Sequence, residues 1–171
     1  MSWYITAQIG MDSNELNRKL KSIIRDNSFF LKMFDEYDIP IERIDDQLTF
    51  KIKKMHGIHA QGNGRYIFLN PKLFERGDFL EEKIHFVAHE LTHWLTKQRE
   101  EDCYFADPEE IAAFTHGIIY ELLRGKSKQE IFHVLFPIIE AHFEQKQDAK
   151  QVFLLLFNKA LKKSEKYNEL V

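Results

Sequence analysis

Two histidines, His89 and His93, lie four residues apart in a segment whose apolar residues recur with the period of an α-helix. Residues at i and i+4 share one face of a helix, one turn apart, so both imidazoles can reach a single ion. Glu90 is rotated by about 100° from His89, which keeps its carboxylate off the ion but near a water that the ion holds. Two nitrogen donors, an open coordination position and an adjacent carboxylate are the parts of a zinc hydrolase site. The spacing therefore predicts a metal-binding helix.

The apolar residues of this segment form a stripe on the opposite side of the helix, made of Leu80, Ile84, Val87, Leu91, Trp94 and Leu95. Because neither histidine lies on the stripe, packing in the core does not account for them. The alternative is a pair of solvated surface histidines. A chain with 8 histidines shows this motif by chance on the order of a per cent of the time. Imidazole and carboxylate donors favour Zn²⁺, one ion per chain.

A glutamate from a following helix is the expected third ligand. Asp107 precedes a predicted helix with Glu109 and Glu110 in its first turn, and these two side chains point about 100° apart, so only one can face the ion. Glu110 shares its face with Gly117, which permits close packing, but it also has the position of a capping-box glutamate. Glu109 and, two turns further along the helix, His116 remain alternatives.

The segment from about residue 65 to 124 resembles the core of the zincin metallopeptidases. Strand Arg65–Leu69, then Asn70-Pro71, a loop and a helix ending in His-Phe-Val-Ala-His-Glu-Leu-Thr-His are most similar to the minimal ImmA/IrrE type. In that family the third ligand is a glutamate followed by small residues and a phenylalanine. The run from Glu110 to Phe114 matches this layout, so the resemblance implies Glu110 as the ligand.

The pattern as a whole predicts an α+β fold, with a small antiparallel or mixed sheet and a mostly helical C-terminal half. The resemblance implies that this fold is of the minimal zincin-like type, with an active-site helix. We expect a single domain over residues 1–171, with a catalytic core at about 1–125 and a helical extension at 126–171. The predicted elements are a strand at Trp3–Ile9, a helix at 12–37, a strand at 41–53, a turn at 57–64, a strand at Arg65–Leu69, and helices at 78–97, 107–124, from 127 with a kink or break at Pro137, and 148–166.

Charge and composition exclude several classes of protein. A net charge of −3 and a pI near 6.2 argue against direct nucleic-acid binding. The lone Cys103 cannot form an internal disulfide, which favours a reducing compartment. No signal peptide is visible, and the apolar run Val152–Phe157 is too short to span a bilayer. We expect a cytoplasmic protein without a membrane partner.

The resulting hypothesis is a zinc-dependent metalloprotease in which Glu90 is the general base for a metal-activated water. The substrate is a protein or peptide, with strand Arg65–Leu69 as the candidate edge strand along which it extends. Tyr104, His116 and Tyr120 are candidate oxyanion donors.

The alternative hypothesis is a catalytically inactive binding or regulatory protein with the same fold, such as an anti-repressor or partner-recognition module. The apolar C-terminal helices are expected to pack in the core or to form a homo-oligomer.

Overall fold

The computed structural model describes residues 12–74, 83–96 and 107–168. Over these residues the fold is α+β and mostly helical, with one small mixed sheet, as predicted. The chain divides into two compact units, Met1–Lys97 and Gln98–Val171, which are described separately below. The predicted strand at Trp3–Ile9 and the predicted helix start at Asp78 lie outside the described residues. The expectation of one catalytic domain with a helical extension stays a prediction.

Over its described residues, the first unit contains four α-helices, three strands and one 3₁₀ turn. They are α1 (Ser13–Asp26), α2 (Ser28–Glu36), α3 (Arg43–Gln47), β1 (Thr49–Ile52), β2 (Ala60–Asn63), β3 (Tyr66–Leu69), a 3₁₀ turn (Pro71–Phe74) and α4 (Ile84–Thr96). The strand order is β1-β3-β2. β1 runs parallel to β3, whereas β2 runs antiparallel to it.

Alternation along the strands separates a buried face of the sheet from an outer face. Phe50, Ile67 and Leu69 are fully buried, because successive side chains of a strand point to opposite faces. On the outer face, the ammonium of Lys51 lies 4.2 Å from the ring centre of Tyr66. This alternation matches the strand pattern in the sequence.

Side chains of α1 cover the open edge of β1. Asn17 accepts a hydrogen bond from the amide of Phe50 at 2.8 Å, and the Ser13 hydroxyl accepts one from the amide of Ile52 at 3.4 Å. Strand edges carry backbone groups that need partners. Helix α1 therefore supplies hydrogen-bond acceptors for two backbone amides on the outer edge of β1.

The single helix predicted over residues 12–37 is wrong, because the chain forms two helices that meet at Asn27. Asn27 has extended backbone angles (φ −104°, ψ 120°), and its side chain accepts a hydrogen bond from the amide of Phe29 as the N-cap of α2. An asparagine side chain offers the backbone this alternative to continuing a helix. Asp12 caps α1 as predicted, by accepting from the amide of Asn14.

The region from residue 41 to 64 also differs from the prediction. Only Thr49–Ile52 of the predicted strand at 41–53 is a strand, because Arg43–Gln47 forms a short helix that buries Ile44 completely. The predicted turn at 57–64 contains β2. Gly64, with φ of +57°, forms the turn that lets β2 pair with β3.

The second unit consists, over its described residues, of three helices: α5 (Pro108–Leu123), α6 (Lys128–Glu140) and α7 (Lys146–Asn168). Pro108 opens α5 after its cap Asp107, and Ser127 with Glu130 forms a complete capping box at the start of α6, both as predicted. Helix α6 continues through Pro137 to Glu140, so the predicted break does not occur, and a kink at Pro137 stays a prediction.

Helix α7 packs against both α5 and α6. Its buried side includes Phe153, whose ring meets that of Phe132 edge-on at 5.0 Å between centroids. Its other side exposes Leu155, which is 69% accessible. The helix is therefore not buried all the way round, and the expected homo-oligomer stays a prediction. None of the described helices is long and apolar enough to cross a membrane.

Candidate metal centre

Helix α4 holds the histidine motif through a buried apolar stripe. Ile84, Val87 and Leu91 are completely inaccessible, and Leu95 is 5% exposed. These four residues confirm the predicted stripe, while Trp94 is half-buried and tilts against the ring of Phe34. Burial of the stripe fixes the rotation of the helix about its axis.

His89 and His93 bring their side-chain nitrogens together. The two Nε2 atoms lie 3.1 Å apart, with ring centroids at 4.8 Å and ring planes at 70°. Two nitrogens bound to one tetrahedral zinc, each at 2.0–2.1 Å, lie roughly 3.4 Å apart. His93 is 4% exposed and His89 is half-buried, so the pair is largely shielded from water. The spacing suits two ligands of one ion.

Glu110 is the third donor of the predicted set. It lies in the first turn of α5 and is 7% exposed. The side chain of Asp107 caps that helix by accepting from the amide of Glu109 at 2.8 Å. Glu110 belongs to the second unit and the two histidines belong to the first, so its binding to the same ion stays a prediction. Two imidazoles and a carboxylate are a donor set that zinc takes in catalytic sites.

The other candidates have different surroundings. Glu109 is half-buried in the same turn as Glu110. His116 is fully buried, and one of its ring nitrogens lies 3.2 Å from the ammonium of Lys163. The centres of the His116 and Tyr167 rings are 6.5 Å apart, so α7 packs against His116. Tyr120 is 8% exposed and lies beside the guanidinium of Arg124. Tyr104 and Cys103 lie outside the described residues.

Glu90, the predicted general base, contacts the backbone of the sheet. Its Oε2 accepts a hydrogen bond from the amide of Gly62 at 2.5 Å, and the residue is 9% exposed. A Cβ atom placed on Gly62 would lie 3.2 Å from the same oxygen. Strand β2 therefore lies directly against the carboxylate that the proposed chemistry needs.

The prediction that Arg65–Leu69 is an edge strand is wrong. That strand is β3, which pairs with β1 on one side and with β2 on the other. Among the described strands, β2 is the edge on the side of α4. Sequence reasoning missed the contact of Gly62, although a glycine inside a strand often marks a close backbone approach.

A further histidine, His85, lies one turn before His89 and is 2% exposed. The ring of Phe86 contacts both His85, at 4.3 Å, and His59, at 4.9 Å between centroids. Partial loss of hydration lowers the pKa of His59, and the nearby Lys83 and His85 lower it further. This environment favours the neutral form of the His59 imidazole.

Comparison of the chain with protein-family models, with curated proteins and with solved structures finds no match. The resemblance to the ImmA/IrrE type therefore stays a prediction that depends on the residues quoted above. The function has to be argued from the donors, the carboxylate and the strand around them.

Proposed function

We propose that this protein is a zinc-dependent metallopeptidase. In this proposal His89, His93 and Glu110 hold one Zn²⁺ ion, and Glu90 is the general base. The observation that carries the proposal is the pair of imidazoles on one helix, with the Nε2 atoms of His89 and His93 3.1 Å apart. It is supported by the position of Glu90 between the two histidines in the chain, which is the arrangement of a metal-assisted hydrolase.

Each residue has a defined part in amide hydrolysis. A zinc ion held by these donors would supply a water with a pKa of about 7 and a Lewis acid for the substrate carbonyl. Glu90 accepts the proton of that water and then delivers it to the leaving amine. His89, Glu90 and His93 have a fixed relation to one another because they belong to one helix. The buried apolar stripe of α4 holds that helix in place.

The proposed substrate is a peptide segment in an extended conformation, lying along β2. An edge strand presents backbone amides and carbonyls that a further strand can pair with, and on β2 a peptide would use the outward groups other than the Gly62 amide, which Glu90 accepts from. The contact between Gly62 of β2 and Glu90 supports this choice over β3, because it brings that edge beside the proposed base. The lone cysteine supports a reducing compartment, and we propose the cytoplasm.

Zinc stoichiometry tests the metal site. We expect about one zinc per chain in the wild type and a loss of at least tenfold in zinc affinity for His93→Ala, since each ligand contributes strongly to the site. His133→Ala is the matched control, because His133 is an exposed histidine on α6. Absence of stoichiometric zinc in the wild type would refute the metal site.

Glu90→Gln tests the chemistry. The variant keeps the size of the side chain but cannot accept a proton, so we expect it to bind zinc normally and to lose cleavage of a peptide library. The wild type should cleave the library, and a chelator should stop it. Full activity in Glu90→Gln would contradict the role of the base. Stoichiometric zinc without any cleavage by the wild type would favour the inactive regulatory alternative.

A further inference from the structure

We propose that Gly62 is a positioning residue for Glu90: its amide holds one carboxylate oxygen, and its missing side chain leaves the room that this oxygen occupies. The inference adds Gly62 of β2 to the proposed site residues of α4, which are His89, Glu90 and His93. It depends on the proposed function only where it concerns the rate of hydrolysis, because the contact itself exists whether or not the protein is a peptidase.

The amide of Gly62 faces away from the sheet. In an antiparallel pair, residues that exchange hydrogen bonds alternate with residues whose backbone groups point outward. The amide of Asn70 donates to the carbonyl of His59 at 2.8 Å, and Gly62 lies opposite Ile67. Counting from His59, the amides of Ala60 and Gly62 therefore point to the open side of β2, where the carboxylate of Glu90 lies.

The hydrogen bond is of the strong type. An ionised carboxylate that accepts from an N–H group forms a shorter and stronger bond than two neutral groups do. The bond is 2.5 Å long and part-buried, and Glu90 is 9% exposed. Among the described residues, the Gly62 amide is the hydrogen-bond donor to this carboxylate. Its direction therefore sets which way the carboxylate points.

The reason for glycine at position 62 is space and not backbone conformation. Gly57, Gly64 and Gly125 have φ between +57° and +78°, where other residues are strained, and nothing would contact a Cβ added to any of them. Gly62 is not among the positive-φ glycines, but a Cβ there would lie 3.2 Å from Oε2 of Glu90. The carboxylate would have to move by a few tenths of an ångström.

Amide resonances of the full-length chain, as purified, test the contact without any assay of hydrolysis. We expect the Gly62 amide proton to resonate downfield and to exchange slowly with solvent, and both properties to be reduced in Glu90→Gln, which replaces the charged acceptor by a neutral one. The Gly64 amide is the control and should not change. An unchanged Gly62 signal in Glu90→Gln would overturn the proposal even if the protein proves to be a peptidase.

Gly62→Ala tests the consequence for catalysis. A misplacement of 1 Å can cost about a hundredfold in rate, so a shift of a few tenths should lower kcat by roughly tenfold. The KM, the zinc affinity and the melting temperature should stay close to those of the wild type. Gly64→Ala is the matched control with the opposite signature: a lower melting temperature, because of its positive φ, with kcat unchanged.

Repeating Gly62→Ala in the Glu90→Asp background separates positioning from a general structural effect. Aspartate is one methylene shorter, so its carboxylate no longer reaches the space beside position 62, and the second substitution should cause no further loss of kcat. An equal loss in both backgrounds would overturn the proposal. If the wild type cleaves nothing, the proposed function fails, and the amide resonances alone decide whether Gly62 holds Glu90.

Discussion

Replacing Asn70 by alanine should destabilise the first unit strongly, although the side chain is small and distant from the core helices in sequence. Asn70 follows β3 and is 2% exposed. Its amide nitrogen donates to the carbonyls of Met55 at 2.6 Å and Ile58 at 2.8 Å, and its carbonyl oxygen accepts from the amide of Lys72 at 3.2 Å. One side chain thus ties the segment before β2 to the end of β3.

The magnitude follows from the groups left behind. Removing one partner of a buried hydrogen bond costs about 1–3 kcal/mol, because the remaining group stays desolvated. The bond to Met55 is buried, and the bond to Ile58 is partly buried, so water can replace part of the second. We therefore expect Asn70→Ala to lower the free energy of unfolding by about 2–4 kcal/mol.

Urea unfolding followed by tryptophan emission measures this loss. Trp94 lies half-buried on α4 of the first unit, so a change in its emission reports on that unit. Asn70→Asp is the control: it retains an acceptor for Lys72 but turns a carboxylate towards two carbonyls, and should be at least as unstable as alanine at pH 7. A loss below about 0.5 kcal/mol for Asn70→Ala would refute the reasoning, since surface substitutions commonly stay within that range.

Two further predictions concern a pH effect and a helix cap. The pKa of His59 in the folded protein lies below 6.5, the usual value for histidine, so on acidification the unfolded chain takes up its proton first. The contribution of neutral His59 to the free energy of unfolding is fully present above pH 6.5 and should be lost as the pH falls from there through the folded pKa. The substitution His59→Gln should remove this pH dependence. A midpoint at or above pH 6.5 in the titration of the His59 ring would contradict the prediction. Ser127→Ala should cost about 1 kcal/mol by removing the side-chain half of the capping box. Helix signal from circular dichroism in urea would measure that loss, and Ser127→Thr should restore most of it.

Local signals in the sequence predicted the helices of the second unit well. Asp107 with Pro108 marks the start of α5, and Ser127 with Glu130 marks the start of α6, because caps act within a few residues of the chain. The break at Asn27 was missed for the same physical reason. Its side chain competes with the helix over two residues, while the apolar pattern continues on both sides of it.

Strand β2 could not be predicted, because its identity is not local. The sequence Ala-Gln-Gly-Asn has no β-branched or aromatic residue and contains a common turn former. It is a strand because β3 pairs with it along its whole length and α4 packs beside it. Because β2 was not predicted, β3 was wrongly taken as the edge strand, and the hydrogen bond between Gly62 and Glu90 was not foreseen.

In the candidate site, too, the features set by nearby residues could be predicted, and those set by residues far apart in the chain could not. The relation of His89, Glu90 and His93 follows from the geometry of one helix, so spacing alone predicted it. The direction of the Glu90 carboxylate depends on an amide 28 residues earlier in the chain. If Glu90 is the base, transferring the histidine motif to another buried helix, together with a carboxylate as third ligand, should therefore give zinc binding with little turnover. Hydrolysis would need, in addition, a strand whose backbone comes as close as that of Gly62, because only that contact fixes the carboxylate beside the metal ligands.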